Sequence, residues 1–322
     1  MSVCLLIGLF LRYELSFDTY HKAAQRTYRI NSSWIDAGNK SSHYSTPLPL
    51  ADALRSEVSG LEAVVQAHPL WDETIEVNQK ILKQERLLVV DPSFPDVFNI
   101  EVIRGNAKEA LEKPFQALLT ESTAKKFYGN EDPVGKTFTY KKFHITVAGL
   151  IKDFPSNTHL PASVLLSYVA DGQFLGHELN TWTNVSGTTT YVVLPDGYDL
   201  KVLERHLNAM ADKHINSDPG IPKFVKSEFD IQPLRDVHFD TQYEGGGHWV
   251  KAVNTTWLWF FAVIGLAVLT LACINFVNLS TAQALTRAKE VGVRKSVGAG
   301  RLHLITQFLR EAWLLTFFSG VL

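Results

Sequence analysis

Residues 252–286 carry no formal charge over 35 positions, and a basic segment follows at once. About 20 apolar residues at 1.5 Å each suffice to cross the hydrocarbon core of a bilayer, and the stretch from Trp257 to Ile274 is long and apolar enough to do so. In hydrocarbon the backbone has no water to bond, so a single crossing segment must be helical. The segment beyond it carries Arg287, Lys289, Arg294, Lys295 and Arg301 against one acid, Glu290. Basic residues flanking a span mark its cytoplasmic side. The large middle of the chain is therefore expected outside the cytoplasm.

The formal charge of −2 on 322 residues hides this asymmetry. Residues 287–322 hold 6 basic and 2 acidic side chains, while the remainder holds 25 basic against 31 acidic. A basic tail can serve nucleic acid, but here membrane topology explains it and no base-stacking or groove-reading motif accompanies it, which excludes that class. The 2 cysteines, Cys4 and Cys273, both sit in apolar runs. A middle region without cysteine does not rely on disulfides, which fits a bacterial periplasmic domain and makes the sequons at Asn31 and Asn184 chance matches.

The organisation expected from these patterns is as follows. Residues 1–11 are the outer part of a first transmembrane helix, and 12–31 are a helical stalk in which Tyr13, Phe17 and Tyr20 recur at helical spacing. Residues 32–244 are a periplasmic α+β core domain of two lobes. Residues 245–256, opened by Gly245-Gly-Gly247, are a juxtamembrane linker. Residues 257–280 are a second transmembrane helix, 281–310 a cytoplasmic segment, and 311–322 the start of a third span. Within the domain, strands are expected at 28–34, 63–67, 87–90, 117–119, 191–194 and 228–232, with a hairpin of 137–140 and 143–151 about Lys141-Lys142. Thr46-Pro47, Asn106, Thr120 and Asp199 mark helix starts, and Gly60 and Gly129 mark helix stops.

Motifs for chemistry are weak throughout. Gly129 to Thr137 imitates a phosphate-binding loop, but 5 residues separate Gly129 from Gly135, where the pattern requires four. It also follows a helix and precedes a strand, the reverse of a phosphate loop. His177-Glu178 lacks the second histidine of a zinc-protease helix, and the remaining histidines show no ligand spacing and read as surface residues. No serine sits in a nucleophile elbow. The chain is read as no enzyme, with no cofactor and no metal.

The segment after the span has a different character. Ala288, Val291 and Val297 lie on roughly one side of a helix, with Lys289, Glu290, Arg294 and Lys295 around the rest. Gly298 and Gly300 punctuate it before a further helix at 302–308. A basic amphipathic helix at a membrane exit can lie on lipid or dock in a partner's groove, and the pattern favours neither.

Cys273-Ile-Asn-Phe-Val-Asn-Leu-Ser-Thr-Ala-Gln, Arg287-Ala-Lys-Glu-Val-Gly-Val-Arg-Lys-Ser-Val-Gly-Ala and Gln307-Phe-Leu-Arg-Glu resemble the permease subunits of MacB/FtsX-type ABC transporters. Leu119-Thr-Glu-Ser-Thr-Ala-Lys-Lys-Phe-Tyr-Gly, Asp132-Pro-Val-Gly-Lys and Val147-Ala-Gly-Leu-Ile-Lys-Asp-Phe-Pro are similar to that family's periplasmic core domain, and Glu14-Leu-Ser-Phe-Asp agrees. The resemblance implies an inner-membrane, multi-pass permease that dimerises, contacts membrane lipid, binds a separate ABC ATPase, and meets a periplasmic adaptor in some members. It implies mechanical transmission, with export of antibiotics, peptides or lipoproteins, or control of wall enzymes. It places Ala288, Lys289, Glu290, Val291, Val293, Arg294, Lys295 and Val297 against the ATPase, the charged residues as polar contacts and the valines filling a groove. The rival reading is a membrane-tethered sensor whose ectodomain binds a ligand; it would require a cytoplasmic output domain.

The charge asymmetry generates a topology test. Cysteines placed at Gly129, Lys142 and Arg294 are expected to react with an impermeant thiol reagent only at the first two sites, in cells whose outer membrane is permeabilised. Labelling at Arg294→Cys but not at Lys142→Cys would invert the topology.

Overall fold

Leu87, Leu88, Val89 and Val90 are consecutive, apolar and all fully buried. A strand with that pattern has to be covered on both faces, and the fold is arranged around it. The computed structural model describes residues 2–170, 181–183, 187–243 and 252–296, and beyond these 298, 300, 302, 305–307, 309, 310, 313, 314 and 317. The chain forms two units: Ser16–Asn254, and Met1–Leu15 with Thr255–Leu322. Gly245–Gly247, His177-Glu178 and the sequon at Asn184-Val-Ser lie outside the described residues.

The described strands of the first unit are β1 (Thr27–Asp36), β2 (Asn39–His43), β3 (Ala63–Val77), β4 (Lys80–Val90), β5 (Val102–Gly105), β6 (Gln116–Thr120), β7 (Thr137–Tyr140), β8 (Phe143–Ile151), β9 (Val164–Ser167), β10 (Thr189–Val193) and β11 (Val225–Pro233). They join one mixed 11-stranded sheet in the order β11-β1-β10-β3-β4-β9-β6-β8-β5, with β2 on β1. Strand β7 pairs with both β8 and β3, which closes β3, β4, β9, β6, β8 and β7 into a ring. The described α-helices of this unit are α2 (Leu50–Glu57), α3 (Phe94–Val97), α4 (Ala107–Leu111), α5 (Glu121–Tyr128) and α6 (Leu200–Ala211).

Side chains alternate across a strand, and here the alternation sorts the core. Leu88, Val90, Leu118, Leu165, Tyr191 and Val193 enter one cluster with α3 and α4. Their neighbours Leu87, Val89, Leu119, Val164 and Leu166 enter a second cluster with Ala124 and Phe127 of α5. Val64 and Val192 enter a third, under Leu50 and Leu54 of α2 and Leu203 and Leu207 of α6. The sheet is continuous, with the first cluster on one face and the second and third on the other. Each fully buried Leu, Val or Phe contributes about 1.5–3 kcal/mol.

Local chemistry sets the helix ends. Asn106 accepts from the Glu109 amide at 3.2 Å, Thr120 from Thr123 at 3.4 Å and Asp199 from Lys201 at 3.0 Å. Each satisfies an amide that the helix leaves without a partner. Gly129, at φ 66°, ends α5. Thr46 does not cap α2: its hydroxyl sits 2.7 Å from Thr190 Oγ1, and the helix begins at Leu50.

The second unit contains α1 (Ser2–Glu14) and α7 (Thr255–Ser296). Spacing predicts a helical stalk over residues 12–31. Instead α1 ends at Glu14, turns follow, and β1 begins at Thr27. The cause is tertiary. Phe17 and Asp18 are buried in the domain, the Asp18 amide donates to Asn157 O at 3.0 Å, and Asp18 adopts φ 55°, a backbone conformation no right-handed helix contains.

Where edge strand β5 meets β8, Gly105 has φ 88°, and a Cβ there would stand 2.5 Å from Ala148 O and 2.9 Å from Gly149 Cα. Gly105→Ala is therefore expected to lower stability by about 2–4 kcal/mol, read from a denaturation midpoint. An unchanged midpoint would contradict this packing of β5 on β8.

Candidate coupling helix and buried polar junction

Helix α7 runs unbroken for 42 residues, about 63 Å at 1.5 Å per residue. Its first part, Thr255–Gln283, is apolar enough to cross a membrane. Thr270 and Thr281 return their hydroxyls to the carbonyls of Leu266 and Val277, each at 2.8 Å, so neither presents an unmet polar group to lipid. Against it lies α1. Cys4, Ile7 and Leu11 of α1 are half-buried at helical spacing, Ile7 packs where Gly265 lacks a side chain, and Phe10 meets Phe261 edge to face at 5.5 Å.

The segment read as a site is the continuation of this helix rather than a separate one. Ala288, Lys289, Glu290, Val291, Val293, Arg294 and Lys295 all lie on α7 before its end at Ser296. Gly298, at φ 97°, follows that end. Ala288 and Val293 are exposed and Val291 is half-buried. Ala288 and Val291, three residues apart, share a side, and Glu290 and Arg294, four apart, share another. Val293 is turned away from Val291. Val297 lies outside the described residues, as do the side chains of Lys289, Glu290, Arg294 and Lys295.

A second polar constellation lies where the chain enters the Ser16–Asn254 unit. Asp18, only 1% exposed, accepts from Thr158 Oγ1 at 3.0 Å and from the His159 amide at 3.2 Å. Its other oxygen stands 2.9 Å from His159 Nδ1, and His21 Nε2 is 3.6 Å from the first. His159 Nε2 lies 2.8 Å from the Tyr191 hydroxyl on β10. Burial alone would push the Asp18 carboxyl up; the charge and hydrogen bond of His159, with help from His21, outweigh it and hold the group well below the usual carboxylate range. Burial pushes Tyr191 up to about 12, against the pull of Arg29. Arg29, the register partner of Tyr191 on β1, is itself fully buried and donates to Gln232 Oε1 at 2.7 Å, and burial pushes its guanidinium down.

These residues correct the reading of the histidines as surface groups. His21, His68, His159 and His238 are all buried. His68 meets Thr188 Oγ1 at 2.7 Å, and His238 stacks on Phe17. A signal is present for His238, which stands between apolar neighbours in Val237-His-Phe239; His159, in Asn157-Thr-His-Leu-Pro161, has them on one side alone. The loop that imitates a phosphate site runs from Gly129 to Thr137. Lys136 pairs with Glu131 and lies 5.0 Å from the Tyr128 ring centre, between the end of α5 and the start of β7. Among the described residues no group of three or more His, Cys, Asp and Glu is placed to hold a metal.

The family described as MacB-like periplasmic core domain matches residues 1–210, and the FtsX-like permease C-terminal region matches residues 262–322. The chain belongs to the MacB/FtsX permease family. The macrolide export ATP-binding/permease protein MacB of Aggregatibacter actinomycetemcomitans is 23% identical over 297 residues, covering 88% of this chain and 41% of that protein. The ABC transporter permease YknZ of Bacillus subtilis is 38% identical over 72 residues, 22% of this chain and 17% of that one. A crystallised domain of a Porphyromonas gingivalis protein covers 66% of this chain and 91% of that domain, with a TM-score of 0.58 at 22% identity, and shares its fold. The chain spans less than half the length of these curated relatives. The regions matched in this MacB/FtsX permease are a periplasmic core domain and a permease C-terminal region.

The Asp18 cluster generates a pH prediction. Its folded-state pKa is depressed, so its stabilisation is fully present above the ordinary value of 3.8 and is lost as pH falls from there. Asp18→Asn should cost about 3 kcal/mol at neutral pH. Its gap from wild type should close as the pH drops below about 4, measured by denaturation from neutral pH to about pH 2. A gap independent of pH would show that the carboxylate charge is not what stabilises the junction.

Proposed function

We propose that this chain is the permease and mechanotransmission subunit of an ABC transporter, coupling ATP hydrolysis by a separate ATPase to a conformational change in its periplasmic domain. The observation that carries this reading is the continuity of α7. One helix without a break begins directly after the periplasmic unit at Thr255 and still carries the basic segment at Lys295. The apolar part, Thr255–Gln283, is about 44 Å long, more than the roughly 30 Å of hydrocarbon it must cross. The remaining residues to Ser296 add about 20 Å of helix. A rigid rod of that length delivers a push at one end as a displacement at the other, whereas a flexible linker would absorb it.

In this reading the subunit resides in the bacterial inner membrane as a multi-pass protein, dimerises, and pairs with two copies of the ATPase. Glu290, Arg294 and Lys295 make polar contacts to that partner. Val291 and Val297 enter its groove, while Val293, turned away from Val291, does not. Export of an antibiotic, peptide or lipoprotein is the matching activity, with a periplasmic adaptor as a further partner; a relative's description as a macrolide exporter agrees with that class.

The docking face is testable. A buried valine contributes about 1.5–3 kcal/mol, and a charge in its place is buried without a counter-ion, which costs more. Val291→Asp and Val297→Asp are expected to abolish co-purification with the ATPase while membrane insertion persists, and Arg294→Ala to weaken the complex less. If the segment lies on lipid instead, neutralising Lys289, Arg294 and Lys295 together would loosen membrane contact and the aspartate variants would keep the ATPase. Retention of the ATPase at wild-type levels by both aspartate variants would end the docking reading.

A further inference from the structure

Two straps of chain join the Ser16–Asn254 unit to helices. Residues 16–26 follow α1, and residues 234–243 and 252–254 precede α7. Inside the unit the straps meet. The Phe17 ring lies flat on the His238 ring, with centroids 3.5 Å apart and an interplanar angle of 0°. The His238 carbonyl accepts from the Val253 amide at 2.9 Å, two positions before α7 begins at Thr255. His238 is thus held from the entering side by Phe17 and from the exiting side by Val253.

A second route joins the same straps through the sheet. Asp18 binds Thr158 and His159, and His159 reaches Tyr191 on β10. Tyr191 is opposite Arg29, Arg29 donates to Gln232, and Gln232 Nε2 donates to Asp240 Oδ2 at 2.6 Å. Asp240 directly follows the 3₁₀ turn Leu234–Phe239 that contains His238. The titratable groups facing Asp18 are His21, His159 and Tyr20, with Tyr191 and Arg29 behind them.

Apolar contacts alone let neighbouring segments slide, because they are non-directional. A buried carboxylate held by several donors does not, since any displacement leaves an uncompensated charge in a poorly solvated place. Asp18 also fixes the direction in which the chain leaves, through its left-handed backbone.

We propose that Phe17 and Asp18 form a mechanical joint that ties the strap leading into α7 to the strap leaving α1 and passes displacement of either to β10 through His159 and Tyr191. These are positioning residues, and the proposal rests on the transmission reading above.

The test uses the full chain in nanodiscs, read by hydrogen exchange. Without the ATPase, Asp18→Asn should raise exchange at 157–160 and also at 234–239, which Asp18 does not touch, and Asp18→Glu should restore part of the protection. Loosening confined to 157–160 would overturn the joint. With the ATPase bound, nucleotide should alter exchange at 187–193 in wild type. Asp18→Asn should retain the ATPase and its hydrolysis while that nucleotide-dependent change is lost. If Asp18→Asn loses the fold, Phe17→Leu, which removes the ring stack on His238, is read in the same two ways. A variant that transmits the change as wild type does overturns the joint. If wild type itself shows no nucleotide-dependent change, the transmission reading fails, while the ATPase-free comparison still decides the joint.

Discussion

A peptide backbone in hydrocarbon must satisfy its own hydrogen bonds, and α7 is where that constraint acts on this chain. It forbids any interruption over the apolar part and forces even Thr270 and Thr281 to turn their hydroxyls back onto the helix. The regularity continues past the apolar residues to Ser296, into a segment where water is available and the constraint no longer applies. There the helix has to be sustained by intrinsic propensity. Gly298 ends what propensity cannot extend. Gly265 shows the complementary device: without a side chain it lets Ile7 of α1 approach closely, and in lipid such close packing replaces the hydrophobic effect as the cohesive force.

The domain outside the membrane is governed by a different rule. Water surrounds it, so burial decides, and a period-two pattern assigns each strand residue to a face. Leu87 and Val89 go one way and Leu88 and Val90 the other. Because β4, β6 and β9 are apolar on both faces, neither face can be left to solvent, and helices pack on both. Closure of β7 onto β3 wraps the second cluster in a ring of strands, which also removes sheet edges that would otherwise invite pairing with other chains.

What could be read from sequence follows this division. The capped helices at Asn106, Thr120 and Asp199 and the hairpin at Lys141 are each set by residues close in sequence, and each appears where the pattern puts it. Strands β2, β5 and β9 were not legible. Val102–Gly105 is exposed along its whole length and has no alternation, and β9 is too short for a period to stand out. The greater part of the long hairpin of β3 and β4 also lies outside the expected strands. Its turn uses Asn78 and Gln79, both at positive φ, rather than the asparagine–glycine pair that signals such turns. The stalk failed for a related reason. Helical spacing of Tyr13, Phe17 and Tyr20 was real, but Asn157, some 140 positions away in the chain, captured Ser16 and Asp18. Of the docking segment, sequence gives residue types and spacing, and the helix adds that they continue the span.

The buried polar string from Asp18 to Asp240 raises a question that burial cannot answer. An apolar replacement of similar volume can match or exceed the stability of a buried ion pair, because desolvation consumes much of the Coulombic gain. Arg29 is a buried example: it donates to the neutral oxygen of Gln232 and lies over the Tyr243 ring, while burial opposes its charge. What such groups supply is direction. A carboxylate with two hydroxyl or amide donors and an imidazole admits one arrangement, whereas interdigitated leucines admit several of similar energy. In this domain the apolar clusters hold the sheet together, and the directional contacts are placed where the chain enters from α1 and departs toward α7. A structure that only had to stay folded would gain little from spending buried polar groups there; one that must keep a fixed angle between its membrane straps and its sheet would lose that angle without them.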